Sequence, residues 1–398
     1  MDTIRKNKYY RYTLWISFAI LTGIVFWQGS TLVLNPEWIS ADDYLGYWAA
    51  GKLQLSGANP FDPSELLRLQ KSVGWPGNAA VIMWSPPWTL PLVMVLGAVN
   101  YPLSRTFFIF INVAVILISV DLLWKLYKGK TEFRWMSWLI GFTFIPVLDA
   151  IKKGQTGILL LLGIAGFLYF QEKNKPWLAG LCLALLAIKP HVAYLFFLAV
   201  LLWVFYTRSW SVIGGFILAL TVSITLAFIW NPQVFDQYFF AITNFPPSEW
   251  VTPTIGGIMR LIFGEDKFWL QFIPPFFGTL WLCLYFLRNK EDWNWLERTP
   301  LIILVSLLTA AYGWSFDQPA ALVAIIQIFV VISSIAWQKY SILILGSYIM
   351  INILNILSPS NEIFLFWLAP TLLIWYLASK WIINNRIERF TIPSLENI

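Results

Sequence analysis

Apolar runs recur from one end of the chain to the other, separated by short polar breaks. About twenty apolar residues are enough to cross a bilayer as a helix. The first run covers 12–34 and follows Arg5, Lys6, Lys8 and Arg11. No small-residue cleavage site follows it, so it is expected to remain as a signal anchor with its basic flank in the cytoplasm. Further candidate spans lie at roughly 103–124, 135–151, 155–170, 177–188, 191–207, 210–230, 267–287, 299–312, 319–337, 340–357 and 363–383. Several are short. They break at Lys152-Lys153-Gly154-Gln155, at Lys189-Pro190-His191 and at Asp317-Gln318-Pro319. Broken backbone at membrane depth is tolerated only against protein or a wet cavity. The breaks are therefore expected to outline a cavity.

The run 79–100 is apolar enough to span but contains Pro86, Pro87 and Pro91, each lacking a helix donor. If it spans, Lys125, Lys128, Lys130 and Arg134 lie outside. If it is a surface or re-entrant segment, they lie inside, and the Lys and Arg residues divide about two to one in favour of the cytoplasm. The second arrangement is preferred. It gives twelve spans, cytoplasmic termini and two long extracytoplasmic segments, 35–102 and 231–266, within one integral membrane domain covering 1–398.

The first of these segments carries helix signals. Ser40-Ala-Asp-Asp43 fits a capping pattern, and Leu45, Trp48, Ala49 and Leu53 follow at helical spacing. Gly57-Ala-Asn-Pro60 ends that helix, and Asp62-Pro63-Ser-Glu65 starts another. Two short amphipathic helices on the bilayer surface are expected. Asp43 and Tyr47, four apart, share a face. A carboxylate there can serve as a general base, or it can merely complete the cap.

Composition narrows the class. The 398 residues are 58% hydrophobic and 12% charged, whereas a soluble domain carries about 25% charged residues. A soluble enzyme fold is excluded as the main architecture, as is a nucleic-acid binder. Cys182 and Cys283 sit in apolar runs and read as packing residues. With one histidine in the chain, no metal centre and no cofactor is expected.

Asp43-Tyr-Leu-Gly-Tyr47-Trp-Ala-Ala50, followed by Leu-Ser-Gly57-Ala-Asn-Pro60-Phe-Asp62, resembles the opening motif of glycosyltransferase family 87, the polyprenyl-phosphate-mannose-dependent α-1,2-mannosyltransferases. Trp84-Ser-Pro86-Pro87, Gly154-Gln155-Thr-Gly-Ile-Leu-Leu, Ala179-Gly180, Ala187-Ile-Lys189-Pro190 and Tyr312-Gly-Trp-Ser-Phe-Asp317 resemble further family stretches in the same order. Lys152-Lys153 and His191 depart from the pattern. The resemblance covers 12–205 well and the remainder loosely. It implies an all-α GT-C-like bundle of about twelve transmembrane helices, with its active site on the extracytoplasmic side of a bacterial-type plasma membrane. It also implies transfer of a hexose, mannose first, from a polyprenyl-phosphate sugar to a hydroxyl of a glycan or glycolipid acceptor, with inversion.

The position carried over for the base is Asp43. The leaving phosphate needs fixed cations, for which Lys189, Lys152, Lys153 and Arg260 are the candidates. Lys152 and Lys153 can equally snorkel to headgroups. Asp317 can position Lys189 or an acceptor hydroxyl, or pack between helices. His191 can relay a proton or act as a structural hydrogen-bonder. Tyr47 and Gln155 are candidate supporting groups. In 231–266 and at its edge, Trp230, Tyr238, Phe239, Phe240, Phe245 and Trp250 suit sugar or prenyl stacking, and equally interface anchoring. The rival class is a prenyl-phosphate flippase or small-solute transporter. A transporter would carry its charges mid-span, whereas here nearly all of them gather at span ends, Asp121 being an exception near the inner face.

Overall fold

The computed structural model describes residues 42–246, 250–334 and 339–387, and six positions between 12 and 24. The anchor run, the Ser40 cap and the C-terminal tail beyond 387 fall wholly or largely outside the described residues. Among those described, every regular element is helical. In chain order they include α1 (Asp42–Leu55), α2 (Pro63–Ser72), α3 (Leu90–Gly97), α4 (Tyr101–Leu126), α5 (Arg134–Thr143), α6 (Ile145–Lys153), α7 (Gly157–Glu172), α8 (Pro176–Leu186), α9 (Tyr194–Thr207), α10 (Trp210–Trp230), α11 (Val234–Asn244), α12 (Ile255–Phe263), α13 (Ile273–Asn289), α14 (Trp295–Thr309), α15 (Leu322–Ser334), α16 (Lys339–Leu357) and α17 (Leu368–Ile382).

Among the described residues, six helical stretches are long and apolar enough to cross a membrane: Tyr101–Leu126, Trp210–Trp230, Phe268–Asn289, Ser315–Ser334, Tyr340–Leu357 and Glu362–Asn385. The pair Thr131–Thr143 and Ile145–Lys153, bent by 57°, makes a seventh if it forms one broken span. Four other expected spans are helices of 16, 11, 14 and 15 residues, namely α7, α8, α9 and α14. Each is short of the ~20 residues that cross alone. The protein is an all-helical, multi-pass membrane protein.

The breaks between these short helices satisfy their own backbone. At 187–193, Trp88 Nε1 donates to the Ala187 carbonyl at 2.9 Å and Ser306 Oγ to the Val192 carbonyl at 2.7 Å. At the end of α6, Gly154 takes the left-handed conformation (φ 67°), and the Gln155 amide returns to the Ala150 carbonyl at 2.8 Å. A Cβ there would stand 2.4 Å from Tyr44 Cβ, so the close approach also requires glycine. Non-helical backbone can sit deep in the protein because these partners replace the missing helix bonds.

α2 follows its sequence signals closely. Asp62 caps it by accepting from the Ser64 and Glu65 amides, Pro63 is its first residue, and Leu66 and Gln70 form its buried side. α1 departs from expectation. From Tyr44 to Leu53 only Lys52 is exposed, so this is an inserted helix and not an amphipathic one lying on the surface. Two glycines explain the difference. A Cβ on Gly51 would come within 2.0 Å of the Val93 carbonyl oxygen, and one on Gly97 within 2.3 Å of the Lys52 amide. The backbones of α1 and α3 therefore cross almost in contact. The run 79–100 accordingly contains no single spanning helix: irregular chain leads into the eight-residue α3, whose Leu90, Val93 and Leu96 are buried with Leu45, Trp48 and Leu53.

α4 carries the link from one end of the bundle to the other. Arg105 lies near its start. Asp121, paired with Lys125 at 2.8 Å and with Arg134, lies sixteen residues on, about 24 Å away at 1.5 Å per residue.

Gly51→Val should break the α1–α3 crossing and destabilise the protein by about 1–3 kcal/mol, the scale of core overpacking. Gly346→Ala, at a position with nothing within 4 Å of the added carbon, should be neutral. Thermal unfolding of both variants in detergent reads the difference.

Candidate active site

The breaks expected to outline a cavity do so. A space of about 1140 Å³ is lined by Asp43, Tyr47, Lys152, Lys153, Gln155, Lys189, His191 and Asp317, with Arg105, Glu362 and a wall from Trp75 to Pro86. That volume is ample for a sugar phosphate beside an acceptor. Eight of the nine sequence-predicted residues meet here. Arg260 does not line the space. Its guanidinium donates to the Glu265 and Trp250 carbonyls and to Gln271 Oε1 at 2.8–3.1 Å, and it faces the Phe268 ring.

Each break contributes one group. Lys189, in the turn between α8 and α9, donates to Asp317 Oδ1 at 2.6 Å and to Gln155 Oε1 at 2.7 Å. Its ammonium also lies 4.8 Å from the centre of the Phe316 ring. Asp317 is held in turn by the Trp314 amide, 3.1 Å from Oδ2. Asp317 is therefore the partner of Lys189, one of the roles open to it in the sequence. Gln155 Oε1 also accepts from the Tyr47 hydroxyl at 3.2 Å, with Thr156 Oγ1 at 3.4 Å from the same hydroxyl. One amide thus joins α1 to the Lys189–Asp317 pair.

Asp43 stands one turn before Tyr47 on α1. Burial raises its pKa above the usual carboxylate range, while the Gln155 side chain and the charges of Lys189 and Lys153 counter this in part. Lys189 is buried too. Burial alone would lower its pKa, but Asp317, Tyr47 and Asp43 together hold it above the ordinary lysine value. The site therefore contains a fixed cation and, in the same cavity, a carboxylate whose pKa burial raises, a direction that suits a general base.

Lys153 is paired with Asp149, at 3.4 Å, and with Glu362. Asp149 also accepts from Ser315 Oγ. Neither acid was singled out in the sequence, although Asp149 and Lys153 carry an i,i+4 spacing that could have shown it. Glu362 is 209 positions from Lys153 and left no local signal. Arg105 was missed as well, since it reads as an ordinary flank of a long apolar run. Lys152 is exposed, and His191 is open to the cavity with its ring edge-on to Tyr312, 6.4 Å between centroids.

The aromatic residues divide. Tyr238 and Trp250 line the cavity, Trp250 edge-on to Trp84 at 5.9 Å. Trp230, Phe239, Phe240 and Phe245 are exposed. Among the described residues no group of three or more His, Cys, Asp or Glu side chains is placed to hold a metal.

The family model of glycosyltransferase family 87 matches residues 85–337, which include α3 to α15 and most of the cavity lining. The chain belongs to glycosyltransferase family 87. No curated protein and no solved structure matches it significantly. The cavity is the candidate active site of this membrane glycosyltransferase, and α1, which brings Asp43 and Tyr47, precedes the matched region.

Lys189→Ala leaves Asp317 buried without its cation and should cost about 3–5 kcal/mol of stability. Lys189→Ala with Asp317→Ala should cost less than the sum of the two single variants. A double-mutant cycle on melting in detergent measures this; additivity would contradict the coupling.

Proposed function

We propose that the enzyme transfers a hexose, mannose first, from a polyprenyl-phosphate sugar to a hydroxyl of a lipid-linked or polysaccharide glycan. The reaction takes place on the extracytoplasmic side of a plasma membrane, within a GT-C-type bundle. The observation that carries this reading is the meeting of Asp43, Gln155, Lys189 and Asp317 in one cavity, from four separate parts of the chain. All four lie where the basic-residue rule places extracytoplasmic ends of spans, and the Asp121–Lys125–Arg134 cluster lies at the other end of α4.

The chemistry follows from the charges. The acceptor oxygen attacks the anomeric carbon as the bond from that carbon to the phosphate oxygen breaks. The electron pair of that bond leaves with the lipid phosphate, and the acceptor proton passes to Asp43. Attack opposite the leaving phosphate inverts the anomeric centre. Asp43 also attracts the positive charge that develops on the sugar. Lys189 has three N–H donors, two of them engaged by Asp317 and Gln155. Its third, with exposed Lys152 and with Lys153, faces the phosphate. Tyr47 holds Gln155, and Gln155 holds Asp43. His191 lies at the acceptor side, where the open cavity admits a glycan. Tyr238, Trp250 and Trp84 offer aromatic faces to the sugar or the first prenyl units. Lipid substrate reaches such a cavity from the bilayer, so the lipid-linked sugar takes the place of a nucleotide sugar.

Asp43→Asn should lower transfer by roughly 10²-fold or more, the loss expected for a general base, with donor binding retained. Asp42→Asn, about 100° away around an ideal helix, should stay within a few-fold of wild type. Radiolabelled transfer in proteoliposomes measures both; full activity in Asp43→Asn would move the base elsewhere. The acid limb of the wild-type rate profile should report a pKa above 3.8, the unperturbed carboxyl value. Lys189→Met should move that limb to higher pH, because removing a nearby cation makes Asp43 easier to protonate. For the side of the membrane, cysteine at 128 should react with reagents only from the cytoplasmic face, and cysteine at 68 only from the outer face.

A further inference from the structure

α11 is a wall one helix thick. Tyr238, on one side of it, lines the cavity. Phe240, two positions on and about 200° around an ideal helix, falls on the other side and borders a second cleft of about 330 Å³. That volume lies at the small end of the range for ligand sites. Asn59, Phe61, Asp62 and Ser64 also line the cleft, as does Phe245 just beyond α11. Phe61 is buried and fills the space between cleft and cavity, its ring 5.2 Å from that of Tyr238. Phe245 borders the cleft and Trp250 the cavity, so the two spaces flank the C-terminal end of α11.

The lining of the cleft is aromatic and polar at once. Phe240 and Phe245 are exposed. Asp62 spends one carboxylate oxygen on capping α2: Oδ1 accepts from the Ser64 hydroxyl at 2.6 Å and from the Ser64 and Glu65 amides at 2.8 and 3.1 Å. Among the described residues Oδ2 has no hydrogen-bond partner, and it is not enclosed. Asn59 Oδ1 accepts from the Phe61 amide at 2.9 Å, which leaves the side-chain NH2 to donate. The Ser64 hydroxyl, with the Glu65 and Ser64 amides, holds the Asp62 carboxyl below its ordinary pKa against the effect of burial. No Lys or Arg lines the cleft, and Arg68, the cation nearest in sequence, pairs with Glu65 at 2.5 Å. An ionised carboxylate without a cation repels phosphate, which disfavours an anionic lipid headgroup. A neutral sugar ring fits. Its C–H faces pack on aromatic rings, and its adjacent hydroxyls can donate to a carboxylate and accept from an amide.

We propose that this cleft is a second glycan subsite, in which Asp62 and Asn59 bond the hydroxyls of an inner sugar unit of the acceptor while Phe240 and Phe245 pack on its ring. This rests on the glycosyltransferase reading above. A helix with its side chains is about 10 Å across. A glycan that passes over the end of α11 therefore reaches the cleft with a unit behind the one that reacts. The terminal unit places its hydroxyl at Asp43, and the cleft holds the chain that carries it. The acceptor is then an oligosaccharide or a longer glycan, extended at its tip, and the cleft supplies binding without taking part in bond making or breaking.

The test uses the full chain in proteoliposomes, a polyprenyl-phosphate mannose donor and two acceptors, octyl α-mannoside and octyl α-mannotetraoside. KM for each acceptor and for the donor is measured for wild type, Asp62→Ser and Phe240→Ala, with melting temperatures alongside. Wild type should show a KM about tenfold lower for the tetraoside, the scale of one hydrogen bond to a charged group. Serine caps a helix as well as aspartate does but has no second oxygen. Asp62→Ser should therefore keep α2 and lose most of the preference for the tetraoside. Phe240→Ala should raise the tetraoside KM several-fold, the scale of an aromatic contact. The KM values for the monoside and the donor should not move. Equal KM for both acceptors in wild type, or an unchanged tetraoside KM in the two variants, overturns the proposal and leaves the glycosyltransferase reading standing. So does an equal loss on both acceptors, the mark of a structural role for Asp62 or of a Phe240 ring that anchors the protein in the bilayer. A wild-type protein that uses neither acceptor overturns both.

Discussion

An ammonium buried in a membrane protein requires a carboxylate, and in this chain Lys189 and Asp317 meet that requirement for each other across 128 positions. The contact does more than neutralise charge. Lys189 sits in the break between α8 and α9, and Asp317 in the helical turn before α15. Gln155, at the break after α6, accepts from the same ammonium and from Tyr47 of α1. Four elements that apolar packing alone would leave free to slide are thereby held in one register. The short helices and broken spans, costly in isolation, become tolerable because their ends meet at a shared polar centre.

That centre sets the electrostatics of the cavity. Asp43 keeps a raised pKa because it is buried near Lys189 and yet not paired with it; the lysine's direct carboxylate partner is Asp317. Had Lys189 paired with Asp43, the carboxylate would be a weaker base. Had Asp317 been absent, Lys189 would lose its charge or draw on Asp43. On the proposed mechanism the two carboxylates divide structural and chemical tasks, the same logic that separates acid–base pairs in other active sites. Lys153, held by Asp149 and Glu362, repeats the structural half of that arrangement on the other wall.

Local features of this fold are legible in the sequence. Asp62 and Pro63 announce α2, Gly57 the end of α1, and the polar breaks mark the cavity. The four-residue spacing of Asp43 and Tyr47 places both in its wall. Longer-range features are not. The insertion of α1 depends on Gly51 meeting Val93 and Gly97 meeting Lys52, and a stripe of apolar residues reads the same whether it faces lipid or another helix. Arg105 looks like the flank of a span because its partners, the Ile151 and Lys152 carbonyls, are backbone groups more than forty positions away. Glu362 finds Lys153 through tertiary contact alone. Arg260 has a basic residue's promise in sequence, but carbonyls and Gln271 take up its donors away from the cavity.

On the proposed mechanism, one cavity holds the donor's phosphate and presents its anomeric carbon to Asp43. A cryo-electron microscopy structure of Asp43→Asn with a bound polyprenyl-phosphate sugar tests it most directly. Phosphate density is expected against the Lys152–Gln155 turn, near Lys189. The sugar is expected between that turn and residue 43, with room for a hydroxyl between residue 43 and the anomeric carbon. Phosphate density away from this turn, or a sugar whose anomeric carbon faces away from residue 43, would contradict it.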